Sequence, residues 1–302
     1  MGVVNTGSIA KALQVGVNKF WGMGYDEKKP LQLEQIFDRE ASSKSYEEDV
    51  QLVGTGLIPT KPEGSGITFD AIRQGYVTRY SHLTYAMGII FTYEMLADEQ
   101  YNLGLKNARY LGFSQRQTRE IVAANILNRA FSSSYTGGDG KELCATDHPN
   151  ISGGTWANEL ATSADLSEAA LEQAMIDIRG FTDDRGLRIA VMPKRLIVPS
   201  ALQFEAARIL KTDKRVGTAD NDINAIRSEV GLDFTVNDYL TDADAWFIKT
   251  DCMDGLKNFM REAPGAPVRE NDFDTRNLKF AVFHRESFGW TDPRSIYGSP
   301  GA

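Results

Sequence analysis

From Leu83 the chain alternates strictly. Leu83, Tyr85, Met87, Ile89, Phe91 and Tyr93 fall on one face, and His82, Thr84, Ala86, Gly88 and Thr92 on the other. This period of two predicts a β-strand. Two further strand-like stretches, Lys44 to Val53 and Ile67 to Tyr80, flank the run GTGLIPTKPEGSG at 54–66, whose glycines and prolines mark a turn region. The pair predicts a long hairpin, which needs a surface to lie on because two strands alone are marginal in water.

The segment Asp98 to Ser133 has no proline, and Leu103, Leu111, Val122, Ile126 and Ala130 recur at near-whole helical turns. It predicts a helical rod of roughly 50 Å at 1.5 Å per residue. Gly104 and Gly112 weaken it, and its centre, Ser114 to Glu120, is wholly polar. A rod of that length suits a plate-like subunit better than a small core.

Beyond a loop at 135–140 the pattern changes to alternating helices and strands. Ser163, Asp165 and Ser167 supply helix-start chemistry before an amphipathic helix at 169–178. Strands are predicted at Arg188 to Val191, Arg195 to Val198, Asp233 to Val236 and Ala245 to Lys249. Pro199 and Ser200 open a helix from Ala201 to Lys211. This order suggests a compact α/β unit. Leu278, Phe280 and Val282 then begin a long return strand that leads to Trp290.

The first 36 residues carry Phe20, Trp21 and Tyr25, interrupted by Gly7, Gly16, Gly22 and Gly24. They read as an extended arm with no long helix, whose aromatics are buried by another surface. The chain divides into an arm at 1–36, the hairpin and following strand at 37–93, the long helix at 94–155, the α/β unit at 156–257 and the return strands at 258–302.

Composition narrows the function. The 302 residues are 42% hydrophobic with a formal net charge of −8, which allows a sizeable core. It argues against a protein whose main task is gripping nucleic acid, because phosphate neutralisation needs clustered Lys and Arg. Between Asp213 and Asp274 there are 14 acidic and 7 basic residues, a net −7 that predicts a solvated face. Cys144 and Cys252 have neither disulfide-scaffold nor zinc-ribbon spacing, so a reducing compartment fits. With no signal-peptide pattern and no 18-residue apolar run, no membrane segment is expected.

The arrangement of short arm, Gly/Pro-tipped hairpin, long helix, small α/β unit and return strand resembles the Hong Kong 97-type capsid fold, an α+β class. Local wording is similar to major head subunits of Mu-like tailed phages. It lies at 145–149 (ATDHP), 153–158 (GGTWAN), 196–199 (LIVP), 236–248 (VNDYLTDADAWFI) and 289–299 (GWTDPRSIYGS). The resemblance implies a major capsid protein without catalytic activity, cofactor or metal. It would assemble with itself into hexamers and pentamers of an icosahedral virion shell in the host cytoplasm. A portal, a decoration protein and weakly, non-specifically contacted double-stranded DNA are its further implied partners. The short N-terminal segment implies a separate scaffolding protein. Inter-subunit contacts are expected at Phe20, Trp21, Tyr25, Leu57, Ile58, Lys61 and Glu63.

Other chemistry is weaker. Cys144 and His148 could form a nucleophile and base in a cytoplasmic α+β hydrolase, but such a pair is defined by geometry and an orienting third group. The run GGDGK at 137–141 fails the phosphate-loop spacing. Asp238, Asp242 and Asp244 lack the glycine and terminal glutamate of a calcium loop. Lys61 invites comparison with covalently cross-linking capsids, yet no partner can be assigned, and an exposed solubilising lysine is the plainer reading. A shell resembling encapsulins, which enclose cargo enzymes, is the alternative within the fold.

Overall fold

The computed structural model describes residues 6–27, 30–97, 101–214 and 223–302. The chain opens not with an extended arm but with helix α1 (Thr6–Asp26), followed by a 3-10 turn (Gln32–Gln35) and strand β1 (Asp38–Ala41). The glycines read as helix breakers mark a close helix crossing instead. A Cβ on Gly24 would lie 2.0 Å from the Arg109 carbonyl oxygen, and one on Gly112 would lie 2.2 Å from that of Trp21. Residues 1–5 and 28–29 of the arm lie outside the described residues.

The hairpin consists of β2 (Tyr46–Val53) and β3 (Arg73–Ser81), antiparallel with a register shift between Val50 and Leu52. Residues 67–72, expected in the second strand, make no ladder. Strand β4 (Leu83–Phe91) leads through a short helix α2 (Tyr93–Ala97) into the long helix α3 (Tyr101–Asn128). The expected helix start at Asp98 lies outside the described residues.

The remaining elements are β5 (His148–Pro149), β6 (Thr155–Trp156), α4 (Glu168–Arg179), β7 (Pro193–Val198), α5 (Gln203–Lys211), α6 (Ala225–Glu229), β8 (Asp233–Val236), β9 (Trp246–Thr250), β10 (Leu256–Glu262), β11 (Val268–Asn271), β12 (Leu278–Trp290) and β13 (Ile296–Ser299). Ser167 caps α4 by accepting from the Ala170 N–H. The expected strand Arg188 to Val191 does not form. Only Arg188 bridges, to Thr182, and Ala190 sits at φ 53°, outside the extended region.

One sheet, in the order β13-β9-β7-β8, explains the continuous apolar runs at 196–198 and 246–248. Leu196, Val198, Trp246, Ile248 and Tyr297 face a core with α4 and α5. Ile197, Phe247 and Ile296 face a second core with the C-terminal half of α3 and the 3-10 turn. Burial on both faces removes the need for alternation.

The other large sheet is built on β12. Its residues Leu278–Ala281 pair with β11 on one side and with β4 on the other, while Arg285–Trp290 pair with β10. Strand β1 adds to β10 in parallel. A third core of Val17, Phe91, Ala108, Leu278 and Phe280 joins α1 and α3 to this sheet.

Candidate assembly surfaces

The polar centre of α3 has partners inside the subunit. Arg119 donates to Glu286 through Nε (2.8 Å) and Nη2 (2.9 Å) and to the Tyr25 hydroxyl through Nη1 (2.8 Å). Glu286 also accepts from Asn258 Nδ2 at 3.1 Å. Glu120 accepts the backbone N–H groups of Gln32 and Leu33, which begin the 3-10 turn. Burial pushes the Glu120 carboxyl up, against the pull of those N–H groups and of Arg116 and Arg119. Gln115 accepts from the Trp21 indole at 3.1 Å, and its amide nitrogen lies 3.3 Å from His284 Nδ1.

This network also fixes the N-terminal aromatics within the subunit, where Tyr25 is buried and Phe20 and Trp21 are half-buried. Trp21 stacks on Tyr25 at 5.3 Å, and Phe20 packs against the third core. Within the chain they pack against α3 and β12.

The hairpin is also anchored at its base. Asp49 accepts from Lys257 Nζ and from Thr291 Oγ1 (2.7 Å), and Tyr80 shares a hydrogen bond with the same Thr291 hydroxyl. Lys257 further binds Asp254 (2.8 Å) and Glu40 (3.4 Å). Burial pulls its ammonium down, but the hydrogen bonds to Asp254 and Asp49 outweigh this and the net shift is up. The Tyr80 ring meets Phe259 edge-on at 4.7 Å.

Beyond that base the hairpin has little cover. Ile58 is 96% exposed and Phe69 91%, and Leu57, Ile67 and Ile72 are exposed as well. Lys61 and Glu63 flank Pro62 in a turn closed by Ser65 N–H to Pro62 O (3.2 Å), with Gly64 at φ 79°. That positive φ is what a type II turn requires at its third position. Asp70 gathers the two limbs, accepting from the Gly56 N–H (2.8 Å) and from Arg185 Nη1 (2.5 Å) in the α/β unit. The Arg185 guanidinium, with the Gly56 and Ala71 N–H groups, lowers the Asp70 carboxyl to about 2. The tip is thus an exposed apolar patch with charges at its apex.

The suspected catalytic residues are not brought into a pair. His148 is fully buried. Its Nδ1 lies 2.6 Å from Asp139 and its Nε2 lies 3.1 Å from Asn158, so neither nitrogen addresses Cys144. Burial pushes the Cys144 thiol well above its ordinary value, the reverse of an activated nucleophile. Cys252 lines a cleft of 510 Å³ with Asp251, Asp254, Asp292 and Arg294, where burial and Asp292 again push the thiol up. Asp238 accepts from Gln32 Nε2, and Asp242 accepts from the Asp244 N–H.

No curated protein matches the chain by sequence. Solved structures do match its fold. The virus-like particle of Pyrococcus furiosus gives a TM-score of 0.56 at 12% identity, covering 94% of this chain and 98% of that one. The capsid of cyanophage P-SCSP1u gives 0.57 at 9% identity, covering 91% and 89%. The procapsid of bacteriophage JBD30 gives 0.53 at 13% identity, covering 98% and 76%. At these identities the likeness shows the fold, which is the Hong Kong 97-type expected from the order of elements. Residues 75–299 match the sequence family described as phage capsid protein. Because that match spans well over half of its length, the chain belongs to the phage capsid protein family.

Proposed function

We infer that this chain is the major capsid protein of a tailed double-stranded DNA phage, a shell subunit with no catalysis of its own. The observation that carries the reading is the capsid-family match over residues 75–299. The exposed apolar hairpin tip supports it, because a monomer in water gains nothing from displaying Ile58 and Phe69.

In this reading the tip contacts a neighbouring subunit through Leu57 and Ile58, with Lys61 and Glu63 at its polar apex. Phe20, Trp21 and Tyr25 pack α1 on their own subunit, and the surface that Phe20 and Trp21 leave open contacts a neighbour. The five segments divided at 36, 93, 155 and 257 act as arm, hairpin, spine, axial α/β unit and return strands. Hexamers and pentamers, a separate scaffolding protein, a portal, a decoration protein and assembly in the host cytoplasm belong to the same proposal. So does kinship to Mu-like head subunits. The net charge of −8 supports only weak, non-specific contact with packaged DNA.

The test is to purify the chain with and without residues 57–69 and to image both by negative stain. The Asp70 bond to the Gly56 N–H brings the ends of that segment together, so its removal should spare the fold. Closed shells from the full chain and none from the deletion are expected. Shells from both would remove the tip from assembly. The match to the Pyrococcus furiosus virus-like particle favours one second reading, a cargo-enclosing nanocompartment. Particles that hold protein cargo and no DNA would select it.

A further inference from the structure

Strand β4 is uncharged along its whole length, yet six of its nine residues are exposed. Leu83 is 60% exposed, Met87 57% and Ile90 59%. Strand β12 hydrogen-bonds one edge of β4 from Leu83 to Phe91 without a register shift. Along the other edge, no described residue pairs with it.

An open edge is a row of unpaired N–H and C=O groups, and proteins normally block it with charge, proline or a bulge. Between Leu83 and Tyr93 there is no charged residue and no proline. Among the described residues, most other strand edges are guarded. β1 carries Asp38, Arg39 and Glu40, β8 carries Asp233, and β11 carries Arg269 and Glu270. The hairpin strands also carry charges, Glu47, Glu48 and Asp49 on β2 and Arg73 and Arg79 on β3. All four residues of β13 are buried.

We propose that β4 pairs antiparallel with β4 of a second copy of this chain, joining two β12-centred sheets across a local two-fold axis. Charge selects this occupant. Any guarded strand would set charged side chains opposite Leu83, Met87 or Ile90, where they lose water without gaining a partner. A second β4 offers only apolar and hydroxyl side chains. Antiparallel pairing of identical strands is self-complementary, so one patch serves both subunits. Met87, the middle residue of the strand, then lies beside the axis and faces β4 of the other copy.

The proposal rests on the shell reading, since it needs copies in contact, and a charge-swap experiment separates the two. Met87→Lys and Met87→Glu are each assembled alone and as an equimolar mixture, and particles are counted beside wild type. Each variant alone should give about tenfold fewer particles, because like charges then meet across the axis. The mixture should restore them, with the thermal midpoint of the unassembled subunit unchanged throughout. Wild-type yields from either variant alone would overturn the pairing, and so would a mixture no better than its components. If the midpoint falls, the swap is moved to Thr84 and Ile90, which are exposed and lie opposite each other across the axis: Thr84→Lys with Ile90→Lys, and Thr84→Glu with Ile90→Glu, are assembled alone and mixed, with the same outcomes deciding. Wild-type protein that forms no particles would overturn the shell reading and the pairing together. Particles indifferent to both swaps would overturn the pairing alone.

Discussion

Replacing Glu286 by Gln should destabilise the subunit strongly, although it removes only a charge. The Arg119 side chain is 4% exposed and that of Glu286 1%, and the two meet through two parallel hydrogen bonds of 2.8 and 2.9 Å. Such a pair repays its desolvation only while both charges are present. Removing one leaves a buried cation uncompensated, at a cost of about 3–5 kcal/mol. With an unfolding entropy of about 2.1 cal/mol/K per residue, a chain of this length loses about 0.6 kcal/mol of stability per degree, so the midpoint should fall by about 5–8 °C. The assay is thermal unfolding of the unassembled subunit followed by circular dichroism. A double replacement, Arg119→Met with Glu286→Leu, should recover part of the loss, because no charge is then stranded, although the Tyr25 hydroxyl and the Asn258 amide each lose a partner. A fall under about 2 °C for the single variant, or a double variant no better than the single, would refute the argument that the charge is paired in a water-free site.

Three further outcomes are expected. Burial pushes the imidazoles of His82 and His284 below their ordinary 6.5, so the unfolded chain takes up protons first as pH falls. Stability should be full above about 6.5 and decline below it towards the lowered folded values, with a shallower decline in His284→Asn, measured as urea midpoints at pH 7.5 and 5.5. Gly112→Val should force α1 off α3, since its Cβ would collide with the Trp21 carbonyl, costing about 1–3 kcal/mol and exposing the α1 region to limited proteolysis. Cys144→Ser should lower the subunit midpoint, because a buried hydroxyl without a partner costs about 1–3 kcal/mol, while particles still form and no hydrolytic activity is gained or lost.

The sequence revealed those elements whose burial follows a period. Strands β4, β7, β8, β9 and β12 and helices α3, α4 and α5 were predicted within a few residues of their observed spans. Helix α1 was not, because Gly16, Gly22 and Gly24 lower helix propensity while the contact that makes Gly24 necessary is supplied by Arg109. Glycines recurring in both of two apolar segments were the available signal. Strand β10 was missed because Lys257 and Asn258 interrupt its apolar run, and their burial depends on Asp49, Asp254 and Glu286 elsewhere in the chain. The hairpin tip was readable from its glycines and prolines. Its tether, Asp70 with Arg185, joins residues 115 positions apart and leaves no local trace.

That tether divides the hairpin mechanically. At the base, Asp49 and Tyr80 are fastened by largely buried contacts to Lys257 and Phe259 of β10 and to Thr291, just beyond β12. At the far end, the Asp70–Arg185 pair is half open to solvent, and such pairs contribute little. The hairpin is thus a lever with a firm fulcrum and a weak catch. In the proposed shell one sequence would have to fit positions of unequal curvature, and an adjustment at the outer end of the hairpin would break only this exposed pair.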